Sequence, residues 1–177
     1  GLVNSTVAAT TIDTAATVNV NAGITAATTL DINDATTVNA ATGNTIQTTS
    51  GELDIQTNVG TLNITGADAT LLTIDGNGDA AVLLAAVTDT ANPNLTVNSE
   101  GAVNIVSVAM GTGTLTVNVD NDADGTATGT FGALTAGTID ISGSANAGPP
   151  VTLNDTLTFN GLVNSTVAAT TIDTAAT

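Results

Sequence analysis

One four-residue phrase recurs along this chain: a small polar residue, an aliphatic, a short polar residue, a second aliphatic. It stands as TVNV at 17–20, TLDI at 29–32, ELDI at 52–55, TLNI at 61–64 and LLTI at 71–74. It returns as NLTV at 94–97, AVNI at 102–105, TLTV at 114–117, TIDI at 138–141 and TLTF at 156–159. Alternation with period 2 and many β-branched residues predicts a short strand with one buried face at each site. Clusters of Asn, Gly, Asp and Ser at 75–79, 120–125 and 142–150 predict turns between them. Only the run 80–87 is compatible with a turn or two of helix, and it fits a buried strand equally well.

The copies are spaced near ten residues or near twice that, which suits two all-β architectures. In a β-solenoid, a parallel β-helix, each coil of about 20 residues would supply two or three short strands, stacked about 4.8 Å apart. In an Ig-like β-sandwich repeat, strands every 8–12 residues would pair antiparallel. A sandwich usually centres on Trp or Tyr, and this chain has neither; its two aromatics are Phe131 and Phe159. Stacked identical positions favour small β-branched side chains and Asn ladders. About a fifth of the residues are Thr, and Asn and Ala are abundant. The solenoid is therefore the expected fold, with about seven or eight coils per period rising roughly 34–38 Å.

The segment 1–17 reads GLVNSTVAATTIDTAAT, and 161–177 repeats it without a change. Fixed-period self-similarity marks repeat architectures. Residues 1–160 read as one full period of a repetitive β array, and 161–177 as the start of the next.

Charge narrows the partners. There are 16 acidic residues and no Lys, Arg or His, giving a net charge of −16. The carboxylates must be solvated, screened by salt or neutralised by cations. Nothing can neutralise phosphates, so nucleic acid is not an expected partner, and anionic membrane surfaces are disfavoured for the same reason. The longest apolar run is far too short to span a bilayer, so no membrane insertion is expected within this segment. Cys is absent, which removes disulfides and thiolate metal sites.

Candidate chemistry is confined to acidic turns. Asp120-Asn121-Asp122-Ala123-Asp124-Gly125 matches the opening D-x-D-x-D-G of a calcium loop, in which alternate carboxylates converge on the ion. The twelfth position is Phe131 instead of a bidentate Glu, so calcium would rest on Asp120, Asp122 and Asp124 with carbonyls and water. A weaker echo places Asp75, Asn77 and Asp79 in the same alternation. Calcium is the one cofactor these residues suggest. Without His, Cys, Lys, Arg or Tyr there is no ordinary nucleophile–base pair. A carboxylate pair could hydrolyse glycosides, but no Trp or Tyr offers a sugar platform. Alternating threonines, Thr112, Thr114 and Thr116 and again Thr126, Thr128 and Thr130, read first as good strand formers. The N-x-[ST] triplets at Asn4, Asn63, Asn94 and Asn154 arise readily in a chain so rich in Asn and Thr.

The TLTVN and AVNIV phrases, with Gly, Asn and Asp turns between them, resemble the β-helical stalks of giant repetitive bacterial surface proteins. Filamentous-haemagglutinin-type adhesins and autotransporter passengers are the families concerned. The resemblance covers the whole chain and is one of style. It implies secretion to the cell surface, a long fibrous shape, and adhesive or sheath-forming work. The expected function is structural and not enzymatic: a chain that forms or extends an extracellular filament, sheath or surface stalk. Its partner is itself, as covalent tandem repeats or as a homopolymer. A calcium-stabilised adhesin repeat and a strand-donating pilus-like subunit are the alternatives.

Overall fold

The computed structural model describes residues 3–5, 8–122, 127–143, 156–167 and 170–173. β1 (Val3–Ser5), β2 (Thr10–Asp13) and β3 (Thr17–Val20) make the first turn. β4 (Ile24–Ala26), β5 (Leu30–Asn33) and β6 (Thr37–Ala41) make the second, and β7 (Thr45–Thr48), β8 (Leu53–Ile55) and β9 (Thr61–Thr65) the third. The next three turns use two strands each: β10 (Leu71–Gly76) with β11 (Val82–Asp89), β12 (Asn94–Ser99) with β13 (Val103–Ala109), and β14 (Thr114–Val119) with β15 (Thr128–Ala136). β16 (Thr138–Gly143), β17 (Thr156–Phe159) and β18 (Val163–Ser165) follow, and β19 (Thr170–Asp173) comes last.

Each strand pairs in parallel with the strand one turn away, which makes a β-solenoid and excludes the antiparallel sandwich. The solenoid has three faces. The first is the eight-stranded ladder β1-β4-β7-β10-β12-β14-β16-β19. The second runs through β2, β5, β8, the leading halves of β11, β13 and β15, and β17. The third runs through β3, β6, β9, the trailing halves of the same long strands, and β18.

Alternation decides which side chains fill the interior. On the first face Ile24, Ile46, Ile74, Val97, Val117 and Ile141 stand in register, one per turn, with little or no exposure. Branched side chains repeating about every 4.8 Å fill a thin core without aromatics. The exception is Phe131, fully buried, whose ring stacks on Phe159 with centroids 5.2 Å apart.

Outward residues form polar rows. Asn39 donates to Asn19 Oδ1 and Asn63 to Asn39 Oδ1, both at 2.9 Å. On the first face Asn118 donates to Asn98 Oδ1 and Ser142 to Asn118 Oδ1, both at 2.8 Å. Thr45, Thr73, Thr96 and Thr116 make a second row beside it. The expected Asn ladders are thus present, and Thr116 serves as a strand residue in one of these rows.

The ambiguous run 80–87 is strand. In β11 the alternation slips once, with Leu84 and Ala85 both buried, and the pairing with β13 skips Ala85. The strand bends there from the second face to the third without a loop; β13 steps over Val106 at the same point, so the register between the two strands is kept.

The turns are longer than the expected 20 residues. Asn98 to Asn118 takes 20, but Gln56 bonds Leu84 across 28. Fewer turns therefore fit in a period than the seven or eight expected. The duplicated segment shows the consequence. VNS lies on the first face as β1 and on the third as β18; TTID lies on the second face as β2 and on the first as β19. From Val3 to Val163 the chain makes six turns and two-thirds of a seventh.

Candidate functional site

The corner between the first and second faces gathers acidic side chains from successive turns. Asn77, just past β10, donates from Nδ2 to Thr48 O at 2.7 Å, pinning the corner to the turn below. Gly78 follows with φ of 88°, and a Cβ there would lie 2.6 Å from Ser50 Cα, so only Gly lets the chain reverse this close to its neighbour. Asp79 and Asp120 adopt φ of 56° and 53°, left-handed values that Asp tolerates better than most residues. The turns are tied by backbone bonds, Glu100 N to Gly76 O at 2.9 Å and Asn121 N to Ser99 O at 2.8 Å.

This stacking brings ligand oxygens of Asp79, Glu100 and Asp122 within 4.8 Å of one another. Gly78 N–H donates to the Glu100 carboxylate, fixing its position. Asp79 and Asp122 are exposed and Glu100 is half-buried. Three carboxylate oxygens converging at an open corner are what a hard divalent cation takes, with water completing its shell.

The expected calcium residues fall in different places. Asp122 joins the corner cluster. Asp120 is buried at the end of β14, and Asp124 lies outside the described residues. Phe131, at the twelfth loop position, belongs to the core of β15. In the weaker motif Asp79 joins the cluster, Asn77 bonds the Thr48 carbonyl, and Asp75 stands in β10 in the outward row between Gln47 and Asn98. Glu100 entered no sequence motif. Its only signal is register: it lies 22 residues from Gly78, one turn of the ladder.

A second acidic stack lies on the second face. Asp31 pairs in register with Asp54 on the next turn. Asp54 is mostly buried and satisfied locally: Oδ1 accepts from the N–H of Gln56 at 2.6 Å and of Thr57 at 3.0 Å, and Oδ2 from Thr57 Oγ1 at 2.6 Å. Asp31 Oδ1 is buried without a hydrogen-bond partner. Desolvation, then the charges of Asp54, Asp13 and Asp34, raise the Asp31 pKa above its ordinary value. The native state therefore binds this proton more readily than the unfolded chain does. The charged form destabilises the fold above the folded pKa, and that penalty fades as pH falls through it. Asp31→Asn is expected to raise stability at neutral pH by about 0.5–1 kcal/mol, the scale of a like-charge cross-strand pair. The gain should vanish once the carboxylates are protonated, which urea melts at neutral and acid pH will show.

Taken together, these features define a parallel β-solenoid with acidic corners. No protein-family model matches the chain, and no curated protein or solved structure matches it. No helix among the described residues is long and apolar enough to cross a membrane.

Proposed function

We propose that this chain is a structural element that forms or extends an extracellular filament, sheath or cell-surface stalk, with copies of itself as its partner. The observation that carries this reading is the continuous in-register stack. One aliphatic core runs along the stacked turns, and Asn and Thr rows of three or four turns each lie outside it, so the structure lengthens by repeating its turns. Load along the axis is borne by backbone ladders and by the Asn rows together. The uniformly acidic surface keeps such a rod soluble and opposes side-by-side association.

A second reading is a calcium-stiffened adhesin spacer. It is favoured by the convergence of Asp79, Glu100 and Asp122 from three successive turns. A cation there would clip these turns together and relieve their mutual repulsion.

Denaturing electrophoresis of the natural material, paired with thermal melts in calcium and in chelator, tests both. A species far above 17.1 kDa is expected for a covalent array. A single band at one unit, together with compact particles in electron micrographs, would overturn the structural-array reading. On the calcium reading, chelator lowers the melting temperature, and Glu100→Gln abolishes that difference. Melts that coincide with and without calcium would remove it.

A further inference from the structure

Asn-Gly occurs twice in the chain, at Asn77-Gly78 and at Asn160-Gly161. In such a pair the Gly nitrogen can attack the Asn side-chain carbonyl carbon and close a five-membered ring, with no Cβ on the second residue to obstruct it. The first pair lies at the corner between the first and second faces, where neighbouring turns touch both reacting groups. From one turn below, Thr48 O accepts a hydrogen bond from Asn77 Nδ2 at 2.7 Å. From one turn above, the Glu100 carboxylate accepts the Gly78 N–H. The ladder holds Glu100 there: Ser99 stands opposite Gly76, and Glu100 N–H donates to Gly76 O at 2.9 Å. Gly78 is exposed, so water reaches the corner. Asn160-Gly161 repeats the sequence, but among the described residues no carboxylate meets its amide.

We propose that Asn77-Gly78 is a self-modification site, at which Glu100 acts as the general base that converts Asn77 to aspartate and isoaspartate. The reaction balances with water as its one co-reactant. The Gly78 nitrogen forms a bond to Asn77 Cγ as its proton passes to the Glu100 carboxylate. The tetrahedral carbon then expels Nδ2, which takes that proton and leaves as ammonia. Glu100 ends as it began, and a succinimide spans residues 77 and 78. Water opens this ring at either carbonyl. Opening at Cγ leaves aspartate at 77; opening at the main-chain carbonyl leaves isoaspartate, with the chain running on through Cγ. A base fixed beside the attacking nitrogen by the next turn is what an isolated Asn-Gly peptide lacks.

The product alters the corner. A carboxylate at 77 has no N–H to give Thr48 O, and that carbonyl loses its side-chain donor. The new charge also joins those of Asp79, Glu100 and Asp122. Isoaspartate adds a methylene to the backbone beside Gly78, where the chain already passes so close to Ser50 that a Cβ would clash. Both products loosen the tie between the third and fourth turns. The ammonia is lost to solvent, so the change runs one way and accumulates with the age of the molecule.

The second Asn-Gly pair serves as an internal reference. The whole chain is held folded in warm neutral buffer with chelator, so that no cation occupies Glu100, and is sampled over time. Peptide mass mapping reads amide-to-acid conversion at each Asn, and isoaspartyl-specific methylation reads the rearranged product. Asn77 is expected to convert at least about tenfold faster than Asn160, the lower side of what a positioned base contributes. In urea the two should react at closely similar rates, because the turns that hold Glu100 are gone. Glu100→Gln, checked for its fold by circular dichroism, is expected to bring Asn77 down to the rate of Asn160. Asn77 converting no faster than Asn160 in the folded chain, an advantage that survives in urea, or a folded Glu100→Gln variant reacting as fast as the parent overturns the proposal. The comparison of folded with urea-treated protein uses the parent alone, so it decides the question even where the variant loses its fold.

Discussion

Leu84→Ala is expected to lower the unfolding free energy by about 2–5 kcal/mol, while Thr73→Ala changes it by less than about 0.5 kcal/mol. Both residues lie in strands paired on both sides, one at the centre of the interior and one in an outward row. Leu84 is fully buried and stands in register between Ile55 and Ile105, which are fully buried as well. Backbone ladders hold those neighbours at fixed spacing, so they cannot move in to fill the space. A solenoid core is therefore poorly placed to relax around a truncation, and the cavity penalty should fall toward the upper part of the range. Urea melts followed by circular dichroism will measure both variants. Equal losses would mean that the outward rows carry as much of the stability as the core does.

The same alternation explains what could be read from the sequence. Strands were expected at ten places, and each holds one: β3 and β17 match residue for residue, while β5, β8 and β13 start one residue later. Missed strands have weaker patterns. β7 reads TIQT, with a long polar residue between Ile46 and Thr48, and Thr48 turns inward, donating to Gly51 O at 2.6 Å. In β4 the inward positions are Ile24 and only Ala26. Such strands form because the turns above and below dictate them, not because of their own propensity. The long strands that cross two faces were hidden for another reason. A one-residue slip at Ala85 produces a run of apolar residues that period alone cannot separate from helix.

Site chemistry was less legible, because a solenoid assembles its corners from residues a full turn apart. Asp79 and Asp122 were singled out for their neighbours in sequence, yet the cluster that contains them draws one residue from each of three turns. Glu100 cannot be joined to them without the register, and turns of unequal length keep the register out of the sequence. The duplicated segment makes the same point. VNS and TTID each occupy two different faces. Each of these faces asks only for inward aliphatic and outward polar side chains, so the pattern specifies a strand without specifying its face.

Phe131→Ala should cost about 3–5 kcal/mol, and its effect should be unevenly distributed along the axis. Among the described residues Phe131 is the largest fully buried side chain, and its ring stacks on Phe159 of β17. The nearby Gly129 leaves no room for compensation: a Cβ there would lie 2.7 Å from Phe131 Cε2 and 2.8 Å from Leu157 Cδ2, so the backbone has been thinned to admit the ring. Removing the ring empties that space and leaves Phe159 with no stacking partner. Among the described residues β17 pairs with β15 alone, so it loses much of what holds it down. In a quasi-one-dimensional array each turn contacts only its neighbours, and a defect loosens the turns beside it first. Hydrogen exchange should therefore show lost protection in β17 and β18, with β4 to β9 nearly unchanged. Uniform loss across all the turns would mean instead that the stack unfolds as one cooperative unit, and that its length, not its local packing, sets its stability.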